Sequence, residues 1–190
     1  MKFKKQPQYQ KKTLRMKDNH TWRAPAGYKI VVLDRGAVSF NVPTSWVVAK
    51  TEPFEMNDAE PPNDDARLTI SFWRFPSTID WSGLPLAPLL EQSSAETQTQ
   101  HKVLEQGPVV KSPRSDLELV WRQERFQDPV EPREAFTRIA VARGWGIHTL
   151  ITFDFWVDDA RRFKHVWDEV IRSLQLGRVI DDPTRGPLEH

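Results

Sequence analysis

The chain has 190 residues, a formal net charge of +1 and no cysteine. Its 38% hydrophobic and 28% charged residues are typical of one soluble globular domain with a sizeable core. The lack of cysteine excludes disulfides, thiolate zinc sites, iron–sulfur clusters and a cysteine nucleophile. The sequence shows no apolar signal segment and no apolar run near the roughly 20 residues that a membrane-spanning helix needs. We therefore expect a cytoplasmic protein.

The first 20 residues form a basic segment. They contain one acid, Asp18, and seven of the 27 Lys and Arg residues, namely Lys2, Lys4, Lys5, Lys11, Lys12, Arg15 and Lys17. Such a segment is typical of a solvated, poorly ordered tail, and the alternative is a surface that binds nucleic acid or another polyanion. We divide the chain into a flexible tail at 1–21, a single domain at 22–187, and a remnant of an expression tag at 188–190.

The first elements after the tail are predicted strands. Residues 28–43 read as two strands joined by the turn residues Asp-Arg-Gly, and 44–50 begin a third. Residues 55–66 read as a long acidic loop whose carboxylates do not have the spacing of an EF-hand calcium loop. Residues 67–75 are apolar on both faces, which predicts a central strand covered on both sides. A helix is predicted from Leu89 onward.

The last third of the chain has the clearest pattern. Residues 116–126, 134–142 and 148–157 alternate as strands with short connections, which predicts an antiparallel meander. Residues 158–177 follow with the periodicity of an amphipathic helix, capped by Asp158 or Asp159 and ended by a left-handed Gly177. Successive strands without alternating helices favour an α+β fold.

The final helix also contains the one stretch dense in histidine and carboxylates. Helical spacing puts His165 and Glu169 on the polar side, opposite Phe163 and Trp167. His165 is therefore expected to be exposed and paired with Glu169, with Asp168 paired to Arg172, because such pairs are common on surface helices. Zinc would need three or four converging ligands, so we predict no metal site there.

No other pattern predicts catalysis. The remaining histidines are scattered, the serines lack a glycine-flanked elbow, and Gly144-Trp145-Gly146 is too short for a phosphate-binding loop. We predict no catalytic residue, no metal and no cofactor. The alternative is an enzyme or small-molecule binder that uses Asp154, His148 and Arg143 in a cleft between sheet and loops.

Three tryptophans are candidate contacts for a protein partner. Trp145 lies between two glycines at a predicted hairpin tip, where its side chain either folds back onto the body or stays exposed as an anchor. Trp22 and Trp81 lie in irregular segments next to proline or glycine and have the same two alternatives.

Two short motifs resemble the PsbP-like superfamily. Phe40, Pro43 and Trp46 in "AVSFNVPTSW" match an F-x-x-P-x-x-W opening, and an aromatic strand followed by a helix ending in Ser173-Leu174 matches the close. The superfamily includes the extrinsic P subunit of photosystem II and a Ran-binding nuclear-transport factor, and it mostly supplies binding and assembly proteins rather than enzymes. The resemblance implies an α/β/α sandwich around an antiparallel sheet of about six or seven strands. It also implies a non-catalytic module with another protein as its partner.

Overall fold

The structure is a computed structural model that describes residues 10–49, 51–76, 78, 80–81 and 83–187. Its strands are β1 (Tyr28–Leu33), β2 (Val38–Pro43), β3 (Val47–Val48), β4 (Phe54–Asn57), β5 (Ala66–Arg74), β6 (Lys102–Gln106), β7 (Val110–Lys111), β8 (Glu118–Gln127), β9 (Glu134–Gly144), β10 (Ile147–Trp156) and β11 (Gln175–Leu176). Its helices are α1 (Leu86–Gln100) and α2 (Ala160–Ser173).

Eight strands form one large antiparallel sheet. The order is β3-β4-β5-β10-β9-β8-β6, and the two-residue β7 pairs with β8. The predicted meander of β8, β9 and β10 is confirmed. Strands β1, β2 and β11 form a separate antiparallel sheet of three. The predicted α+β sandwich with an antiparallel centre is therefore confirmed, with one more strand in the large sheet than expected.

The large sheet lies between two helical layers. Helix α1 packs on β8 and β9, where Leu86 and Leu90 meet a small cluster of apolar residues. Helix α2 and the three-stranded sheet cover the opposite face, and this side contains the main core. There the Trp167 ring stacks parallel to Phe153 with centroids 6.1 Å apart. Aromatic rings of this size dominate the apolar area that folding removes from water.

Helix α2 is amphipathic as predicted, with one error on its polar side. Phe163 and Trp167 are buried and His165 is exposed. Glu169, which we expected beside His165 in solvent, is buried because β2 packs against this side of the helix. It accepts hydrogen bonds from Asn41 and Arg172, both at 2.7 Å. The exposed i,i+4 pair is instead Lys164 with Asp168.

The predicted ends of α2 also need correction. Neither Asp158 nor Asp159 accepts a capping hydrogen bond from a helix amide, and a short 3-10 turn over Val157–Asp159 leads into the helix instead. Gly177 has the predicted left-handed backbone, with φ of 65°. It follows the short strand β11 rather than the last helical turn, which ends at Ser173.

Two predictions in the first half of the chain are also wrong. Strand β5 is fully covered on one face only: Leu68 is buried, whereas Trp73 on the other face is 51% exposed because α1 covers β8 and β9 but not β5. The acidic loop begins with an unpredicted strand, β4. Its carboxylates Asp58 and Asp65 contact Arg162 at 2.8 and 3.3 Å, so an arginine neutralises them.

Candidate functional site

A cleft of about 920 Å³ lies at the end of the large sheet where the β9–β10 hairpin turns. We call it the hairpin cleft. Four separate parts of the chain meet there, and the lining residues are Arg74, Phe75, Pro76, Asp80, Trp81, Arg114, Ser115, Asp116, Leu117, Glu118, Arg143, Gly144, Trp145, Gly146, Ile147 and His148. Antiparallel pairing brings the ends of β5, β8, β9 and β10 to this one edge.

Trp145 is at the tip of the hairpin, and its side chain is 73% exposed. Trp145 and Gly146 form a two-residue turn with φ of 52° and 72°, which is the left-handed pair that a type I′ hairpin requires. Glycine adopts such angles freely, but a tryptophan rarely does. Of the two alternatives for this residue, the structure has the exposed one.

The backbone of the tip packs against Gly177. A β carbon at Gly177 would lie 2.5 Å from the Cβ of Trp145, closer than two carbons can approach. The amide of Phe75 also donates to the Gly146 carbonyl at 3.0 Å. The turn is therefore fixed from two sides while the indole ring of Trp145 extends into solvent.

Arg143 and His148 are paired across β9 and β10 and meet in the cleft. Arg143 donates to a Glu118 carboxylate oxygen at 2.7 Å and to the Trp81 carbonyl. Each strand contributes one of these residues, because Glu118, Arg143 and His148 follow one another across β8, β9 and β10 in register. A buried guanidinium is tolerated here because it has such charged and polar partners.

His148 is buried under two aromatic rings. Its ring centroid lies 4.4 Å from that of Phe75, which in turn lies 4.6 Å from Trp81. Burial, and then the charge of Arg143, lower the pKa of His148 from its ordinary 6.5, while Glu118 acts in the opposite direction. The Nε2 atom is buried and has no hydrogen-bond partner within the part of the chain that the structure describes.

The remaining predicted residues lie elsewhere or are already engaged. Asp154 is at the far end of β10, paired with Arg67 at 3.3 Å, so it does not join Arg143 and His148. Trp22 is only 9% exposed, and its indole N–H donates to the Pro183 carbonyl at 2.8 Å. Trp81 is half-buried at the wall of the hairpin cleft.

The basic segment is tied to the domain at two lysines. Lys11 donates to the Val48 carbonyl at 3.2 Å, and Lys17 pairs with Asp182 at 2.8 Å. Hydrogen bonds from Lys17 and Thr184 hold the pKa of Asp182 well below its usual range. Lys12 and Arg15 are exposed, whereas Lys2, Lys4, Lys5 and residues 188–190 lie outside the described residues. Nucleic-acid binding by this segment stays a prediction.

Several cleft residues had no signal in the sequence. Arg74 pairs with Asp34 at 2.9 Å beside the cleft. Arg114 donates to Asp116 at 2.9 Å and to the Ile171 carbonyl at the end of α2 at 2.8 Å. These residues come from segments distant in sequence, so no spacing could relate them. The sequence feature that did indicate this part of the molecule was the turn Gly144-Trp145-Gly146.

Two classes of site are not found among the described residues. Within them, no group of three or more His, Asp or Glu side chains could hold a metal ion. No helix in the same part of the chain is long and apolar enough to cross a membrane.

Comparison with known proteins gives a family and a fold. The model of the Alr1449 family matches residues 29–180. A protein of Nostoc sp. with the description "Uncharacterized protein alr1449" is 42% identical over 181 residues, covering 94% of this chain and 93% of its own length. The chain belongs to the Alr1449 family. The matched range includes both sheets except Tyr28 at the start of β1, both helices and the whole hairpin cleft.

Solved structures with the same fold have very different sequences from this Alr1449-family protein. Cyanobacterial PsbP (CyanoP) from Synechocystis superposes with a TM-score of 0.55 at 12% identity, covering 81% of this chain and 95% of that one. The Ran-binding protein Mog1p of Saccharomyces cerevisiae gives 0.54 at 10% identity, covering 83% and 98%. LpqN of Mycobacterium tuberculosis gives 0.54 at 10% identity, covering 78% and 89%. These matches confirm the PsbP-like fold that the two motifs indicated.

Proposed function

We propose that this Alr1449-family protein is a non-catalytic protein-binding module of the cytoplasm, and that Trp145 is the anchor of its contact surface. The observation that carries the proposal is the left-handed, 73% exposed tryptophan at the tip of the β9–β10 hairpin. An unusual backbone conformation persists only when its surroundings enforce it, and such positions cluster at functional sites. Exposed tryptophans are enriched among the residues that dominate protein–protein binding energy.

The surroundings of Trp145 suit an interface. The backbone of the turn is fixed by Gly177 and Phe75, so little conformational entropy is lost when the indole is bound. Val179, two residues after Gly177, is 78% exposed and adds apolar surface. The ion pairs Arg74–Asp34 and Arg114–Asp116 supply charged groups around the apolar centre. An apolar centre with a polar rim is the usual anatomy of a protein interface.

The fold is compatible with this role. Mog1p is described as a Ran-binding protein, so a PsbP-like domain can present a protein-binding surface. At 10% identity the likeness does not identify the partner of this chain.

Matched tryptophan variants test the proposal. Trp73 is 51% exposed but does not line the hairpin cleft, so Trp73→Ala controls for the loss of an exposed indole. A partner captured by a photo-crosslinking side chain at position 179, which leaves Trp145 in place, should bind the Trp145→Ala variant about 30-fold or more weakly, the usual loss at an interface anchor. It should bind Trp73→Ala with native affinity. Native affinity of the Trp145→Ala variant, with its fold intact by circular dichroism, would refute the proposal.

A second candidate is a small-molecule binder that uses the hairpin cleft. Arg143 and His148 converge there, and the buried Nε2 of His148 has no partner among the described residues. The volume of about 920 Å³ falls within the roughly 300–1,000 Å³ of typical ligand pockets. Metabolites retained by the purified native protein and lost from His148→Phe, but kept by Trp73→Ala outside the cleft, would support this candidate. Retention of the same metabolites by His148→Phe would exclude it.

A further inference from the structure

A second cleft, of about 520 Å³, lies between the start of the domain, strand β2 and the C-terminal end of α2. Four of its lining residues are arginines, and none of the described residues that line it is an aspartate or glutamate. We call it the arginine cleft, defined by Arg23, Arg114, Arg172 and Arg178. We propose that this cleft binds a small phosphate compound. The proposal does not depend on the function proposed for the hairpin cleft.

The charges around the arginine cleft do not all cancel. Glu169 holds Arg172 through two hydrogen bonds of 2.7 Å, and Asp116 holds Arg114. Arg178 makes no side-chain hydrogen bond or ion pair to any described residue. The hydrogen bond from Arg114 is the main cause that lowers the pKa of Asp116, and the charge of Arg178 adds to it. A guanidinium with a free planar face of N–H donors is the group that best matches a phosphate.

The carbonyl groups at the end of α2 are the main obstacle to an anion in this position. The C-terminal end of a helix carries a partial negative charge, which repels anions. Arg114 donates to the carbonyl oxygens of Ile171 and Arg172 at 2.8 and 3.3 Å, so it covers two of these groups with a positive charge. The hydroxyl of Ser173, the last residue of α2, donates to the Glu169 carbonyl four residues earlier at 2.7 Å.

Gln175 indicates phosphate rather than sulfate. It lines the arginine cleft, and its side-chain oxygen is buried without a hydrogen-bond donor among the described residues. Burying an amide oxygen without a donor costs free energy. Phosphate keeps an O–H group at neutral pH and can donate to this oxygen, whereas sulfate has no hydrogen to donate. A hydroxyl elsewhere on a phosphate compound could do the same.

Hydrogen bonds between distant segments hold the walls of the arginine cleft together. The N-terminal wall is held to the C-terminal segment, because Thr21 donates through its amide to the Arg185 carbonyl at 2.7 Å and through its hydroxyl to the Pro187 carbonyl at 2.6 Å. Strand β11 pairs Gln175 with Ser39 of β2. A cleft that is already formed loses little entropy when a ligand enters.

Titration with inorganic phosphate and with sulfate at matched ionic strength tests the proposal. Phosphate should bind the native protein and raise its melting temperature more than sulfate does. Arg178→Gln should weaken phosphate binding about tenfold or more, because it removes a charged hydrogen-bond donor. Arg161→Gln, which removes an exposed arginine on α2 outside the cleft, should bind phosphate with native affinity.

Three results would overturn the proposal. The first is no stabilisation of the native protein by phosphate beyond that given by sulfate. The second is equal phosphate affinity of Arg178→Gln and the native protein. The third is equal loss in Arg178→Gln and Arg161→Gln, which would indicate a general charge effect. Since Arg114 lines both clefts, it is left unchanged in this test.

Discussion

The two faces of the large sheet differ in chemistry. The face under α2 is almost entirely apolar, and Phe153, Phe155 and Trp167 fill it. The one buried charge that the described strands of the large sheet contribute to this face is Arg138, whose guanidinium lies 5.2 Å from the Phe155 ring and donates to Gln123 at 2.9 Å. The other face, beside α1, buries polar and charged side chains next to a small apolar cluster: Arg122, Glu124, Thr137, Arg143 and His148.

This difference separates the apolar packing of the main core from the face that presents the Arg143 and His148 side chains of the hairpin cleft. Burying a charge costs free energy unless it is paired, and the α1 side provides such pairs. Arg122 is held by Glu91, and the fully buried Glu124 accepts a hydrogen bond from Ser94 at 2.6 Å. A protein can tolerate these costs on one face because the apolar area on the other is large. The hairpin cleft opens where the polar face reaches the end of the sheet.

The largest effect is expected at Trp167, and it tests the comparison directly. Trp167→Ala should lower the free energy of unfolding by about 3–5 kcal/mol, because the ring is 1% exposed and stacks on Phe153. Leu90→Ala, on the α1 side, should lower the free energy of unfolding by about 2 kcal/mol. This value is near the lower end of the range for buried Leu→Ala substitutions, because the apolar cluster around Leu90 is small. Urea unfolding measures both. A greater loss at Leu90 would reverse the assignment of the two faces.

The second-largest effect is expected at Gly177, which packs against the tip of the β9–β10 hairpin. Gly177→Ala should lower the free energy of unfolding by about 1–3 kcal/mol, because the left-handed backbone disfavours a β carbon and that carbon would collide with Trp145. Gly27→Ala is the matched control: its φ is 84°, but a β carbon there would meet no atom of the described residues within 4 Å. The excess loss at Gly177, measured by thermal unfolding, reports the contact with Trp145. Equal losses at the two glycines would show that the turn is not fixed by this contact.

How far the sequence predicts this molecule depends on where each signal comes from. The α2 helix and the β8–β10 meander were predictable because their periodicity is local, and the exposure of His165 followed from it. Strand β6 was missed because most of its residues are exposed and show no apolar alternation. The burial of Glu169 could not be read from α2 alone, since the covering strand β2 lies about 130 residues earlier in the chain.

The candidate sites were less predictable than the fold. Arg143 and His148 were identified correctly as neighbours because a tight hairpin joins them, and Asp154 was grouped with them wrongly because six residues of β10 carry it to the other end. The arginine cleft collects residues from near position 23, position 114 and the end of α2. No spacing rule relates such distant positions, so only a folded structure shows that they meet.

A smaller effect should appear in the pH dependence of stability on the polar face. Since the pKa of His148 is lower in the folded protein than the ordinary 6.5, the unfolded chain takes up the proton first as the pH falls. Stability should therefore decrease from about pH 6.5 down to the folded pKa, with a slope of at most about 1.4 kcal/mol per pH unit for one proton. His148→Phe keeps a ring against Phe75 and should remove this part of the slope in urea titrations.

The control for that measurement is His165→Gln, which removes a histidine from the exposed side of α2. If His148→Phe and His165→Gln change the pH dependence of stability equally, burial in the hairpin cleft does not account for the lowered pKa of His148. If only His148→Phe flattens the slope, the polar face is a source of acid sensitivity that the apolar face lacks.

The smallest effect is expected on the outer side of α2. Lys164 and Asp168 form an i,i+4 pair at 2.8 Å with side chains 72% and 57% exposed. Lys164→Met should lower the free energy of unfolding by about 0.3–0.5 kcal/mol or less. Solvent screens an exposed ion pair, and an i,i+4 pair is weaker when the lysine precedes the acid. The loss should vanish at about 1 M salt, where the screening length is near 3 Å. A loss above about 1 kcal/mol that persists in salt would mean that α2 is held by its outer charges as well as by Trp167, and the apolar face alone would no longer account for the stability of the fold.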